Sequence, residues 1–590
     1  MTNIVLNLLV SFFLSKIGNE VFIMLKKPIG IGIENFKEII DRSCYFVDKT
    51  LMIKDLLDYR TKVGLFTRPR RFGKTLTLSM IRTFFEMELD DDGNVIDNRH
   101  YFDGMKIMEA GDEYLQHMER YPVISMSLKS ARQPNFQMAY ESLVDEIIKE
   151  YIRHKYILDS GCLTEEYHER YYAIMNRKAK QITYAKALAF LSECLKKYHK
   201  ANVIVLLDEY DVPLENAFFK GFYTEMVDFI RSLFESALKT NDCLQTAVVT
   251  GCLRISRESI FTGLNNLDIY SVLSSNFAEH FGFIQSEVED MLRYYGFPEK
   301  IQEAKNWYDG YLFGTKNVYN PWSVINYVRE AASNPNALPR PYWSNTSSNN
   351  IIRELVEKAD DLAKDELEEL IAGGTIEKPI HEDITYGEIH DKQENLWNFL
   401  FFTGYLKAVS QRLERNKIYL TMTLPNIEVK YVYENKIQEW FDHQIKCVDF
   451  SELYRALLGQ DANKVQDLLR QQLRKTISYN DNRETFYHGF LLGLLSGLHE
   501  YRIRSNQESG NGRPDLLLLP LDETRPVVIM ELKHVDKFNQ MENGCAEALE
   551  QIERQDYAAA PLDEGYENIL KYGICFCKKS CLVKTGCTVP

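Results

Sequence analysis

The segment that most narrows the possible folds is residues 63–85, where the apolar run VGLFT passes through RPRRFGKT into the helix-forming stretch LTLSMIRTFF. A strand that enters a loop ending in Gly-Lys-Thr and then a helix is the arrangement of a phosphate-binding loop. Backbone N–H groups and the helix N-terminus cradle phosphates, the lysine reaches the terminal phosphates, and the hydroxyl coordinates Mg²⁺. Here Gly73 allows close backbone approach, Lys74 and Thr75 take the side-chain roles, and Arg70, Arg71 and Phe72 complete the nucleotide-binding set. The full pattern is G-x-x-x-x-G-K-[ST], and Arg68 stands at its first glycine. Charge strengthens the signal. The chain of 590 residues has a net charge of −15, yet residues 60–82 hold seven basic residues and no acidic one. That is a local anion site on an acidic body; the plainer alternative is a basic loop ahead of an ordinary helix.

A second segment, LLDEYD at 206–211, ends the continuous apolar run VIVLL. Such a run suits a strand buried on both faces. Asp208 would hold Mg²⁺ and Glu209 would orient or activate the attacking water. Further strands are expected at 121–128 and 244–251, with helical, charged sequence over 135–200. Strands alternating with helices predict an α/β fold with a parallel sheet. Residues 34–60 read as helix, short strand and helix, with Asp48 and Thr50 placed to cap the second helix. From about 280 to 480 the pattern is mostly helical, broken by aromatic loops at 306–314, 319–324 and 342–347. These either stack bases or pack a lid against the preceding domain. KIYLTMTL and VKYVYE, within 415–435, alternate as if to pair in a small sheet.

The segments PIGIGIENF, YFVDKT, FTRPRRFGKTLTLSM, LLDEYDVPL, VTGCLRISRESIFTGLNNL and NWYDGY together resemble the bacterial AAA-ATPase-like proteins, over roughly residues 28–345. An arginine-rich loop in place of the first glycine is typical of that family. The resemblance implies ATP binding and hydrolysis; Arg254, after the fourth strand, is either a sensor or phosphate-contacting arginine or an ordinary solvated one.

The last 110 residues carry another constellation. An apolar helix at 484–498 precedes strands at 515–519 and 526–533, and a charged helix follows at 541–557. Pro514-Asp515 opens the first strand; Glu531-Leu532-Lys533 ends the second. Residues i and i+2 of a strand share a face, so Glu531 and Lys533 project together and Asp515 can join them. Two carboxylates and a lysine suit Mg²⁺-dependent phosphodiester hydrolysis: Asp515 and Glu531 hold the metal and Lys533 stabilises developing charge. PD, fifteen residues and ELK resemble the PD-(D/E)XK nuclease superfamily. That resemblance implies a restriction-endonuclease-like α/β domain with Gln551 in support; Glu484 on the preceding helix reads better as a surface glutamate than as a third acid. Residues 481–590 hold 12 basic against 17 acidic residues, poor for holding a polyanion, though Arg502, Arg504 and Arg513 cluster near the site.

Composition excludes a disordered chain, a fibre and a disulfide scaffold, with 45% hydrophobic residues and an odd eleven cysteines. Four of those cysteines crowd the tail in no standard zinc spacing. The apolar run at 4–14 is too short to span a bilayer and reads as a start-site extension ahead of Met24, so a cytoplasmic protein is expected. The expected organisation is an N-terminal extension over 1–24, an AAA-like P-loop ATPase domain over 25–275, a helical lid and connector over 276–480, and a nuclease-like domain over 481–590. The expected function is an ATP- and Mg²⁺-dependent protein acting on DNA or RNA. The alternative is an ATP-switched regulator or scaffold with a silent nuclease fold.

Overall fold

In a computed structural model the described residues are 26–90, 93–254, 260–261, 265–343, 361–382, 393–435, 450–475, 484–495, 497–505, 509 and 512–587. The N-terminal extension, most of the third aromatic loop and the side chain of Glu484 lie outside them. The chain divides into two compact units, Met1–Arg340 and Pro341–Pro590.

The first unit is built on five strands: β1 (Val63–Thr67), β2 (Val123–Ser127), β3 (Val203–Asp208), β4 (Leu244–Gly251) and β5 (Leu267–Tyr270). They pair in the order β2-β3-β4-β1-β5, and every pairing is parallel. All residues of β1 and β3 are buried, as their unbroken apolar runs require. In a parallel sheet every strand ends at the same edge. The loops after β1, β2, β3 and β4 therefore meet there, and the order inserts β4 between the Gly-Lys-Thr strand and the acidic strand. β5 is short and carries no apolar run, which hid it in the sequence. The strand expected between the helices Phe36–Asp41 and Leu51–Tyr59 is not formed. Asp48 organises that stretch as a loop, accepting bonds from Thr50 N (2.8 Å), Thr50 Oγ1 (2.6 Å) and Lys106 N (2.7 Å). A hairpin of β6 (Tyr311–Phe313) and β7 (Lys316–Val318) follows the sheet.

The second unit contains an antiparallel sheet of order β8-β10-β9, formed by β8 (Ile376–Ile380), β9 (Lys407–Glu414) and β10 (Lys417–Thr423). VKYVYE is helical instead, with Val429, Val432 and Tyr433 buried at helical spacing. Its other sheet is mixed, in the order β11-β12-β13-β14-β15. Its members are β11 (Tyr501–Ser505), β12 (Leu516–Pro520), β13 (Val527–His534), β14 (Ile569–Cys577) and β15 (Ser580–Thr585). Only β13 and β14 run parallel, joined through the helix Met541–Arg554. One face packs Leu516, Leu518, Met530 and Leu532 against the helices Ser451–Leu458, Ala462–Lys475 and Glu484–Leu495, so two helices ahead of residue 481 share this core. The other face carries Leu517, Leu519 and Ile529 against Ile552.

Between β2 and β3 the first unit buries a charged cluster. Arg153 donates to Glu86, to Glu150 Oε2 (2.5 Å) and to the Val123 carbonyl (2.5 Å), so each buried charge is paired. Beside it, the Tyr156 hydroxyl lies 3.0 Å from His154 Nδ1 and 2.8 Å from His199 Nε2. Burial holds both imidazoles neutral: it pushes His154 well below its usual range, and His199 down to about 4 against a small opposing effect of Glu86. The unfolded chain protonates its histidines near 6.5, before the folded one, so this contribution is intact above that pH and lost as pH falls toward 4. We expect the thermal midpoint of His199→Gln to decline less steeply than that of the parent chain between pH 6.5 and 5, when the two are melted side by side. Parallel slopes would contradict the assignment.

Candidate functional site

The first site is assembled at the edge where β1, β3 and β4 end. Gly73 adopts φ 82° at the turn into the helix Lys74–Phe85, a left-handed conformation that favours glycine. Arg68 has no such requirement, because its backbone is not left-handed, and this explains why the first glycine can be replaced. Instead its side chain is fully buried. Nη1 donates to the carbonyls of Thr67 (2.9 Å) and Tyr270 (2.6 Å), and the guanidinium lies between the rings of Phe281 and Phe313, 5.3 and 5.0 Å from their centroids. Burial lowers its pKa to about 9.

Lys74 Nζ donates to the carbonyls of Arg68 and Pro69, both at 2.9 Å, and lies 3.7 Å from Cys252 Sγ. Two of its three N–H donors are thereby fixed inside the loop. Thr75 Oγ1 donates to Asp208 Oδ2 at 2.6 Å, and Thr250 Oγ1 donates to Asp208 Oδ1 at 2.5 Å. A hydroxyl and a carboxylate in contact at the start of a helix form an oxygen donor pair that fits Mg²⁺, which takes one or two protein ligands and completes its shell with water and phosphate. Glu209 follows in a left-handed conformation, φ 53°, an uncommon state for a non-glycine residue. Burial and then Asp208 raise its pKa, with Lys74 opposing. Arg70 pairs with Glu215 (2.5 Å), which also meets Arg132 (3.2 Å). Arg71 stacks over Trp322 at 4.2 Å, and Phe72 packs on Tyr311 and Phe313. The first two aromatic loops thus pack against the Gly-Lys-Thr loop.

The second site lies on the five-stranded mixed sheet, on the face covered by the helix Met541–Arg554. Leu532 points into the opposite core, so strand alternation turns Glu531 and Lys533 toward this helix. Asp515 Oδ2 accepts from Leu532 N at 2.8 Å, which ties the start of β12 to the end of β13. Glu531 Oε1 lies 3.4 Å from Lys533 Nζ, which donates to Gln551 Oε1 at 2.8 Å. Gln551 in turn meets the Tyr557 hydroxyl at 3.3 Å. Burial and then Asp515 push Glu531 up to about 7, with Lys533 opposing. Two adjacent carboxylates whose mutual repulsion costs energy are a donor set that a divalent cation relieves, so the residues fit Mg²⁺. Among the described residues no group of three His, Cys, Asp or Glu side chains converges as a metal cage. Arg504 lies 3.9 Å from Glu564.

Lys74, Thr75, Asp208 and Glu209 are gathered in the first site and Asp515, Glu531, Lys533 and Gln551 in the second, whereas the side chains of Arg70, Arg71 and Phe72 turn to Glu215, Trp322 and the Tyr311–Phe313 strand. Sequence reasoning missed Thr250, Tyr210, Asp211 and Glu215 in the first site, and Tyr557 and His488 in the second. His488 Nε2 is 3.0 Å from the Asp515 carbonyl. Asp211 is itself the second aspartate of DEYD, the one signal that could have nominated it.

Residues 30–261 match the family model described as a predicted AAA-ATPase, and residues 482–586 match that of the PD-(D/E)XK nuclease superfamily. It is 25% identical over 556 residues to an uncharacterized protein in the vnfD 5′ region of Azotobacter chroococcum mcd 1, covering 91% of this chain and 94% of that one. Among solved structures it aligns with the Walker-type ATPase PABY2304 of Pyrococcus abyssi at 14% identity and a TM-score of 0.34, covering 70% of this chain and all of that one. No described helix is long and apolar enough to cross a membrane.

The site has almost no slack at Gly251. A Cβ there would stand 2.5 Å from the Tyr210 ring and 2.9 Å from Asp211 Oδ1. Gly251→Ala is expected to cost about 1–3 kcal/mol, read as a lower urea midpoint of the full chain. An unchanged midpoint would contradict this packing.

Proposed function

We propose that the chain binds and hydrolyses ATP and that its C-terminal domain is a Mg²⁺-dependent nuclease acting on DNA or RNA. The observation that carries the reading is the meeting of Lys74, Thr75 and Asp208 at the C-terminal edge of a parallel sheet, with the hydroxyl of Thr75 already on the carboxylate. Lys74, oriented by two loop carbonyls, presents its charge to the phosphates. The N-terminal amides of the helix Lys74–Phe85 have no intrahelical partners and add to that field. Arg71 supplies further positive charge, while Glu215 offsets that of Arg70. Glu209, with its basicity raised by burial, orients the attacking water and accepts its proton.

Bound at Thr75 and Asp208, or at Asp515 and Glu531, Mg²⁺ would compensate charge on phosphoryl oxygens and lower the pKa of water. In the second unit Gln551 fixes Lys533 beside the two carboxylates, where it stabilises charge developing on a cleaved phosphodiester. Arg502, Arg504 and Arg513 offer positive charge to a nucleic-acid backbone on an otherwise acidic domain.

Lys74→Ala in the full-length protein is expected to reduce phosphate release from ATP by about a hundredfold or more. Asp515→Ala is expected to abolish Mg²⁺-dependent cleavage while leaving ATP turnover intact. Cleavage that survives Asp515→Ala in pure protein would overturn the nuclease assignment.

A further inference from the structure

The two residues after the Asp208-Glu209 pair do something their position does not require. Asp211 is the N-cap of the helix Val212–Lys220, where an aspartate ordinarily accepts a bond from its own helix. Here it makes no such bond. Its Oδ2 reaches to the turn after β4, accepting from Cys252 N at 2.8 Å and Leu253 N at 3.1 Å. Tyr210 holds the same turn as well. Its hydroxyl donates to the Leu253 carbonyl at 2.6 Å, and its backbone N–H donates to the Thr250 carbonyl at 3.0 Å. Leu253 therefore has both its N–H and its C=O bound by adjacent residues of one neighbouring loop. Both side chains are buried, Tyr210 fully and Asp211 at 3% exposure, and Asp211 Oδ1 has no hydrogen-bond partner among the described residues. A buried carboxylate oxygen left without a partner carries a desolvation cost, partly offset by the two amides on Oδ2.

The clamped turn is also in contact with the Gly-Lys-Thr loop. Arg68 N donates to the Gly251 carbonyl at 3.0 Å, and Cys252 Sγ is 3.7 Å from Lys74 Nζ. Arg254 is the next residue after the clamp. We propose that Tyr210 and Asp211 are positioning residues: they clamp the Cys252–Leu253 turn and so hold the segment leading to Arg254 in register with Lys74 and Asp208. The functional part of this inference rests on the ATPase reading above. Neither residue touches the phosphates; each acts through the turn.

The test uses the full chain with Tyr210→Phe, Asp211→Ala and Asp211→Asn, and two readouts. The first is the rate of iodoacetamide alkylation at Cys252, followed by mass of the peptide that carries it. The second is ATP turnover resolved into kcat and KM. Loss of one or two clamp bonds is expected to raise Cys252 alkylation about tenfold in Tyr210→Phe and Asp211→Ala. The same variants should lower kcat about tenfold with KM within about threefold, as expected when transition-state positioning rather than binding is lost. Asp211→Asn keeps an acceptor oxygen and should restore both. If the parent chain turns over ATP and the variants match it in both readouts, the clamp is wrong and the ATPase reading stands. If the variants expose Cys252 but the parent chain has no turnover, the clamp is right and the ATPase reading falls.

Discussion

The Asp208 carboxylate is the joint on which the first unit depends. It sits at the end of a strand with no exposed residue, and its two oxygens are taken by hydroxyls from two different elements: Thr75 at the start of a helix and Thr250 near the end of β4. A buried carboxylate is expensive unless it is hydrogen-bonded or paired. Meeting that demand fixes where the Gly-Lys-Thr loop, the β3 end and the β4 end lie relative to one another. The parallel sheet supplies the frame, since all of its strands finish at one edge. The same edge gathers Arg70, Arg132 and Glu215, so charges from loops distant in sequence are balanced locally.

The second unit solves a similar problem on a different sheet. Alternation along β13 sends Leu532 into one core and Glu531 and Lys533 to the other face. Asp515 is brought in by the antiparallel pairing of β12 with β13 and pinned by the Leu532 amide. Burial, and then the neighbouring Asp515 carboxylate, leaves Glu531 hard to ionise. Lys533 offsets part of this effect and is itself steered by Gln551.

What the sequence disclosed was what is local. The apolar runs of β1, β3 and β4, the Gly-Lys-Thr turn and the two acidic motifs each lie within a few residues, and their physics is written in spacing. The Thr250 hydroxyl and the Tyr210–Asp211 clamp were hidden because they need to be known as neighbours across β3 and β4. Their partners lie some forty residues away in the chain. The loop around Asp48 looked like a strand because nothing local announces that a carboxylate will collect three donors. VKYVYE misled for a different reason: its alternation suits a strand, but Val429, Val432 and Tyr433 fit a helical stripe equally well. Arg68, which breaks the expected glycine pattern, is explained only by a backbone that is not left-handed and by the aromatic rings that receive its side chain.

The central claim is that one chain joins nucleotide hydrolysis to metal-dependent cleavage of nucleic acid. The most direct measurement incubates the full-length protein with end-labelled single- and double-stranded DNA and RNA, with Mg²⁺ or with chelator, and with or without ATP. The account predicts cleavage of at least one of these substrates that requires Mg²⁺ and changes in rate when ATP is supplied. Intact substrates under every condition, from protein that hydrolyses ATP, would contradict it and leave an ATP-driven protein whose nuclease fold is silent.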